Sequence, residues 1–423
     1  MSAALENPAR SEPQKWPIFV VFCVIWSGLM LTEVLSINLL PITIKEFTDR
    51  ASIISLILFI NPAFGFIAQP LVGILSDRIW TPVGRRAFFL ITCAPIVGTC
   101  LWFIPEARFL WHLVVLVIIY QFFQDVLWGS DHPLMADLFP PKQRMLVAGL
   151  IMASGQAAGA VFLKVGMPTF EGDLDMLYRI VGISQVVLVT GFAFFLNERP
   201  LPPSQRPKLT TKKYVSDLLG HPIRRKFAML HFTNAVFQNI AIGSGFLVIF
   251  VTINLGATEG EYGENWWYSN LIPLLFSIPS AILIEKFASK RWVLVAGFVI
   301  AISGLAIGWL ADEVTDIMSV AFAYGFGMML ITITFKPFFT EYVPKEIIGQ
   351  VSGALNICYA LGRSAAILVA GFVIEYVFDN DYRYIFPMSI AAGMVGLVIA
   401  LSIRDHRYES RIQTGPAKPK ETP

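Results

Sequence analysis

Apolar stretches about as long as a bilayer is thick follow one another along almost the whole of this chain. A helix needs about 20 apolar residues to cross the hydrocarbon, and lipid offers the backbone no hydrogen-bond partner, so such stretches fold as helices. Reading apolar runs against charged breaks places twelve of them, at 17–40, 52–75, 87–104, 109–134, 145–165, 178–196, 227–255, 267–284, 292–310, 317–337, 348–374 and 384–403. The composition agrees: 423 residues, 55% of them hydrophobic and 15% charged, exclude a water-soluble chain with a polar surface. The basic residues sit in loops and form no stripe, so no nucleic-acid partner is expected. Cys23, Cys93, Cys100 and Cys358 all lie in apolar runs, form no Cys/His cluster and read as packing residues, with no metal site implied. The segment up to Lys15 has no basic n-region and the first apolar run no small-residue cleavage site, so that run is read as a retained helix.

The polar stretch 197–226 carries Pro200, Pro202, Pro203 and Pro207 and divides the chain into two halves of six spans, 17–196 and 227–403, between tails 1–16 and 404–423. Loops on the linker side hold 18 Lys and Arg, counting Lys336 at the edge of the tenth span, against Lys45, Arg50, Arg108 and Arg383 opposite. The positive-inside rule then places linker and both termini in the cytoplasm, in a plasma or bacterial inner membrane. The opposite loops lean acidic, with Glu171, Asp173 and Asp175, with Glu259, Glu261 and Glu264, and with Asp312, Glu313 and Asp316, which reads as topology bias. At a constant offset of 204, Pro133 matches Pro337, Asp137 matches Glu341, Pro140 matches Pro344, Val147 matches Val351 and Gly149 matches Gly353. The expected fold is an all-α membrane protein of twelve transmembrane helices in two pseudo-symmetric six-helix halves, with any pathway between them.

After the second span stands Gly73-Ile74-Leu75-Ser76-Asp77-Arg78, followed by Gly84-Arg85-Arg86 at the head of the third. This resembles the cytoplasmic loop signature of the major facilitator superfamily, with a worn copy in Glu285-Lys286 and Lys290-Arg291. The stretch Gln69-Pro70-Leu71-Val72-Gly73 to Arg85-Arg86, and Ala136-Asp137-Leu138 followed by Pro141-Lys142-Gln143-Arg144, look like the sucrose/proton symporter branch, close to the glycoside-pentoside-hexuronide cation symporters. The resemblance is specific over about the first 150 residues and superfamily-level beyond. It implies a secondary carrier, not an enzyme, moving a small polar solute such as a sugar or glycoside by proton or sodium symport. Gly73, Asp77, Arg78, Arg85, Arg86, Asp137, Arg144 and Lys336 would form a cytoplasmic gate. His132 and Gln121 depart from the pattern, standing where plant sucrose carriers keep an arginine and an aspartate, and Asp125 is placed to replace that carboxylate. The expected partners are the solute, the coupling cation and the lipid bilayer; no cofactor is implied, and a monomer is expected. With no nucleotide-binding Gly-rich loop, the driving force would be an ion gradient. The rival readings are an exporter or exchanger of an organic anion or amphipathic compound, and a membrane scaffold or sensor without turnover.

Gln121, Asp125, Trp128 and His132 recur at helical spacing and share one face of the fourth span. An ionisable group in mid-membrane is costly and normally faces a wet cavity or a partner, so Asp125 is the first candidate for cation coupling and Glu33, in the first span, the second. Both also admit a structural reading, as ion pairs or as carboxyls reaching water. Asp131 and His132 lie nearer the cytoplasmic end, where a gating role is open to them. In the seventh span His231, Asn234 and Gln238 line one face, fit either to sugar hydroxyls or to helix-to-helix bonding. Asn356 and Arg363 share a face of the eleventh, and Arg363 requires an anion there: an acidic solute, Glu33 or Asp125. Trp26 and Trp128 read as buried stacking rings for the solute, whereas Trp102, Trp111, Trp266, Trp267 and Trp309 read as a membrane-boundary belt and Lys164 as a snorkelling lysine.

Overall fold

The computed structural model describes residues 14–76, 81–196, 198, 218–287, 289–343 and 348–403. Among the described residues, twelve helical spans are long and apolar enough to cross a membrane. In the first half they are α1 (Trp16–Lys45), α2 (Ala51–Leu58 with Ile60–Ser76), α3 (Ala87–Phe103), α4 (Leu110–Leu138), α5 (Pro141–Val161, running on to Thr169) and α6 (Leu174–Ser184 with Gln185–Gly191). In the second they are α7 (Pro222–Ile253), α8 (Glu259–Trp266 with Tyr268–Phe287), α9 (Lys290–Trp309), α10 (Asp316–Thr340), α11 (Ile348–Tyr376) and α12 (Tyr382–Leu401). Helix α7 begins inside the stretch read as linker, because Pro222 suits a first helical turn, whose amides need no partner.

The packing repeats between the halves. In the first, α1 packs on α5 and α6, α3 on α4 and α6, and α2 on α4. In the second, α7 packs on α11 and α12, α9 on α10 and α12, and α8 on α10. Adding six to each number of the first set reproduces the second. The two halves meet through α2 against α11 and α5 against α8, which the same operation exchanges. Helix α1 breaks at Leu39 ahead of Pro41, and α7 breaks around Gly245, which takes φ 70° and lies against Pro41 and the Ile37 carbonyl. A side chain there would be strained by the backbone and would strike α1.

Close helix contact rests on small residues, as it must where lipid gives no hydrophobic drive for helices to associate. A Cβ on Gly98 of α3 would come within 2.6 Å of the Gly182 carbonyl and of Val186 in α6, so these backbones touch.

The halves are joined by charge chiefly at the end away from the linker. There Arg50 pairs with Glu375 at 2.8 Å, Lys164 with Glu264 at 2.9 Å, and the Tyr262 hydroxyl donates to Asn38 at 2.6 Å. Lys164 therefore holds a carboxylate of the other half instead of snorkelling. At the linker end the ion pairs among the described residues stay within one half, and apolar side chains of α8 such as Ile278, Ile282 and Leu283 lie exposed. Trp266 is also corrected: it is buried against Tyr262 and Tyr324, so it is core and not boundary belt. Trp102 and Trp111 are exposed as expected.

Gly98→Val is expected to lower the melting temperature of the detergent-solubilised protein, with overpacking costing about 1–3 kcal/mol. Thermal unfolding followed by tryptophan fluorescence checks it, and an unchanged midpoint would refute the backbone contact.

Candidate functional site

Mid-depth between the halves, α1 and α11 exchange a charge pair: Arg363 Nη2 lies 3.0 Å from Glu33 Oε1. Of the partners open to Arg363, the structure selects Glu33. The guanidinium is not used up, because its buried Nε has no hydrogen-bond acceptor among the described residues.

Asp125 stands apart from this pair but within electrostatic reach of both its members. Helix α2 crosses α4 at Gly129, where an added Cβ would sit 2.9 Å from Gln69 Cα. That approach carries the Gln69 amide to Asp125, and Nε2 donates to Oδ1 at 2.9 Å. The other carboxylate oxygen, Oδ2, is buried without a partner. Asp125 is thus a carboxyl 5% exposed and held by one neutral donor. Asp131 is fully buried with neither oxygen hydrogen-bonded, whereas a gating residue would reach solvent or the other half.

The rest of the α4 face divides. Gln121 donates to Ser36 Oγ at 2.9 Å and accepts from Asn61 at 2.9 Å, so both ends of its amide bind helices together. Gln124, Gln185 and Thr32 form a separate chain of bonds one turn along α4, with Gln185 donating to Gln124 at 3.2 Å and Thr32 donating to Gln185 at 2.9 Å. Trp128 meets Trp26 edge-on at 5.1 Å between centroids. His132 lies on α4, and its side chain falls outside the description.

Across the interface, His231 stacks on Phe335 at 4.5 Å and an interplanar angle of 12°, and lies 5.0 Å from the Tyr359 ring. Its Nδ1 and the Oδ1 of Asn234, one turn along α7, are buried without partners. Gln238 accepts from the Tyr359 hydroxyl at 2.7 Å. Asn356 and Lys336 are exposed. Sequence reasoning missed Gln69, Phe335 and Tyr359. Gln69 begins the quoted Gln-Pro motif, and Tyr359 precedes Arg363 by one helical turn, the two signals that were there to be read.

Of the gate residues, Asp77 and Arg78 lie outside the described residues and Gly73 is described only as part of α2. Arg85 and Arg86 both pair with Asp137, Arg86 Nη1 at 2.7 Å, and Arg144 Nε donates to the Phe139 carbonyl at 3.0 Å. In the second half Lys290 pairs with Glu341 at 2.7 Å. Arg86 to Lys290 and Asp137 to Glu341 are both steps of 204, so one ion pair is present twice. Glu198, read as linker, accepts from the backbone amides of Arg85 at 3.0 Å, Arg86 at 3.0 Å and Ala87 at 2.5 Å, capping the start of α3. At the opposite end, outside the spans, burial pushes the Glu46 carboxyl above its ordinary range, with the Asp175 and Glu259 carboxylates adding to the shift. Glu46, Asp175 and Glu259 are therefore near enough to act on one another where the halves close.

Two six-helix bundles around a charged, aromatic midplane cluster define a multi-pass membrane transporter. The chain belongs to the Major Facilitator Superfamily, whose model matches residues 18–367 and again 254–422. Over 191 residues it is 28% identical to the general alpha-glucoside permease of Schizosaccharomyces pombe, a match covering 39% of this chain and 33% of the permease. Over 177 residues it is 28% identical to proton-associated sugar transporter A of Homo sapiens, covering 36% of this chain and 24% of that protein. The matches thus span a third or less of these curated relatives. Among solved structures, a bacterial homologue of the human lysosomal transporter Spinster, inward-facing and occupied, superimposes with a TM-score of 0.72 at 14% identity over 97% of this chain and 100% of that one, a likeness of fold.

Arg363→Ala is expected to destabilise the protein by roughly 1–3 kcal/mol by stranding Glu33, and Glu33→Ala with Arg363→Ala to recover most of that loss. Melting temperatures of the four proteins in the cycle check it; an additive double variant would show that the pair contributes nothing.

Proposed function

We propose that this protein is a secondary active symporter that moves a small polar solute, a sugar or glycoside, by alternating access, with a proton bound at Asp125. The carrying observation is Asp125 itself, a carboxyl sealed between α2 and α4 whose contacts are a single amide donor and an open oxygen. A sodium ion takes several oxygen ligands. The flank of Asp125 instead presents an N–H, which supports a proton as the coupling cation. Such a carboxyl can be loaded and unloaded as the cavity opens to either side.

The solute would lie between the halves, against Trp26 and Trp128 on one side and His231, Asn234, Gln238 and Tyr359 on the other. Aromatic faces and unsatisfied acceptors suit the C–H faces and hydroxyl donors of a saccharide. The names of the two curated relatives, a glucoside permease and a proton-associated sugar transporter, point the same way. With the basic linker in the cytoplasm, the conformation closed at the far end is inward-facing. Glu33 and Arg363 join the halves at the depth of the solute, so their pairing is the contact that binding or protonation nearby would alter.

A second reading, transport of an organic anion, is favoured by one feature, the Arg363 Nε left without an acceptor. Competition by a panel of saccharides and organic anions in proteoliposomes separates the two. Asp125→Asn is expected to abolish accumulation driven by a pH gradient while solute counterflow persists. Gradient-driven uptake that survives the substitution, or uptake of the unsubstituted protein indifferent to pH, would sink the coupling assignment.

A further inference from the structure

The helix of α2 that starts at Ala51 has no side-chain cap of its own, since its N-cap residue is Arg50. Its first amides are satisfied from the other half of the molecule. Ser52 N donates to Glu375 Oε2 at 2.9 Å and Ser52 Oγ to the same oxygen at 2.5 Å, while Ala51 N donates to Asn380 Oδ1 at 3.3 Å. Arg50 closes the arrangement, with Nε on Glu375 Oε1 at 2.8 Å and Nη2 on the Tyr376 hydroxyl at 2.8 Å. Asn380, at φ 63°, follows Asp379 at φ 55°, and these are residue types that tolerate the left-handed turn needed to return the chain to α2. Glu375 thus works as a helix cap supplied across the interface, where the positive end of the helix dipole also favours its charge.

Subtracting the repeat offset of 204 from Glu375 gives Glu171, also a glutamate, in the loop after α5. Its Oε2 occupies the space that a Cβ on Gly260 would need, in the first turn of α8. That helix carries its own Thr258–Glu261 capping box, so the Glu171 carboxylate is an addition to a finished terminus. Beside it, Lys164 and Glu264 form the second ion pair of this interface. The α2–α11 and α5–α8 contacts therefore each have, at the closed end, a glutamate from one half set on the first helical turn of the other; Glu375 is itself ion-paired, and Glu171 lies beside an ion pair.

We propose that Glu375 and Glu171 are a duplicated latch that holds the end away from the linker closed. Both contacts cross the boundary that must part when that end opens, so both are lost in one rigid-body step. Parting also strands the Ala51 and Ser52 amides, which makes the latch selective for the closed state. This inference rests on the carrier fold and its alternating access, and not on the sugar or proton assignment.

The test reads conformation directly and needs no solute. In a full-length chain with its four native cysteines replaced by alanine, spin labels at Arg108→Cys and Thr315→Cys report the separation of the far ends by pulsed dipolar spectroscopy in lipid nanodiscs. Glu375→Gln is expected to raise the open-to-closed ratio roughly three- to thirty-fold, Glu171→Gln, which loses no cap, by a smaller factor, and the double variant by about the product of the two. Glu106→Gln, which weakens the Glu106–Arg179 pair inside one half, is expected to leave the ratio unchanged. Ser52→Ala removes one donor only and should give a smaller shift in the same direction, which serves if a glutamate variant folds poorly. An unchanged ratio in Glu375→Gln or in Glu171→Gln, or an equal shift in Glu106→Gln, would overturn the proposal.

Discussion

Lipid supplies neither a hydrogen bond nor a counter-ion, so every polar group carried into the membrane must be satisfied by the protein or serve a purpose that repays the cost. This constraint sorts the polar residues of the chain into two kinds. Gln121 bonds Ser36 and Asn61, while Thr32, Gln185 and Gln124 bond in a chain, and together they join α1, α2, α4 and α6. Glu33 and Arg363 cancel one another's charge across the two halves. Among the described residues several buried polar groups remain without partners; Asp125 Oδ2, His231 Nδ1 and Asn234 Oδ1 belong to the proposed site, and the two oxygens of Asp131 do not. Each lone buried polar group costs about 1–3 kcal/mol, and on the proposed reading the solute and the proton offset that cost at the site.

Duplication is the second ordering principle, and it acts on electrostatics as well as on helix order. The Arg86–Asp137 and Lys290–Glu341 pairs occupy the same place in the two halves, fastening one helix entrance to a neighbour within each bundle. They stiffen the halves as bodies. Glu375 and Glu171 also stand 204 apart, but each reaches across to the other body. A pair within a half survives rocking, whereas a pair between halves must break. The position of a duplicated charge relative to the seam therefore decides whether it braces a body or biases its motion.

Twelve spans, two halves and the repeat were legible because each leaves a linear trace: a run of apolar residues, a proline-rich basic break, a fixed offset. The need of Arg363 for an anion was legible for the same reason. Which neighbour answers that need was not, because Glu33 lies 330 residues away and helical periodicity gives a direction without a distance. Gln69 went unread since its importance comes from the crossing at Gly129, a property of two helices. Glu198 and Glu375 looked like loop charges; only their placement on another segment's amides makes them caps. Gln121 misled in the opposite sense, since an amide on a polar face looks alike whether it awaits a solute or binds two helices.

On the proposed reading, these elements connect in one mechanical argument. The Glu33–Arg363 pair joins the halves at mid-depth, while the latch joins them only at the closed end, so opening that end turns the bodies about contacts near the pair. Asp125 acts on both members of the pair through space. Ionised, it competes with Glu33 for the guanidinium; neutral, it leaves the pair undisturbed. A single proton therefore changes the strength of the Glu33–Arg363 contact between the bundles, and needs no longer route through the protein to favour one tilt of the halves over the other.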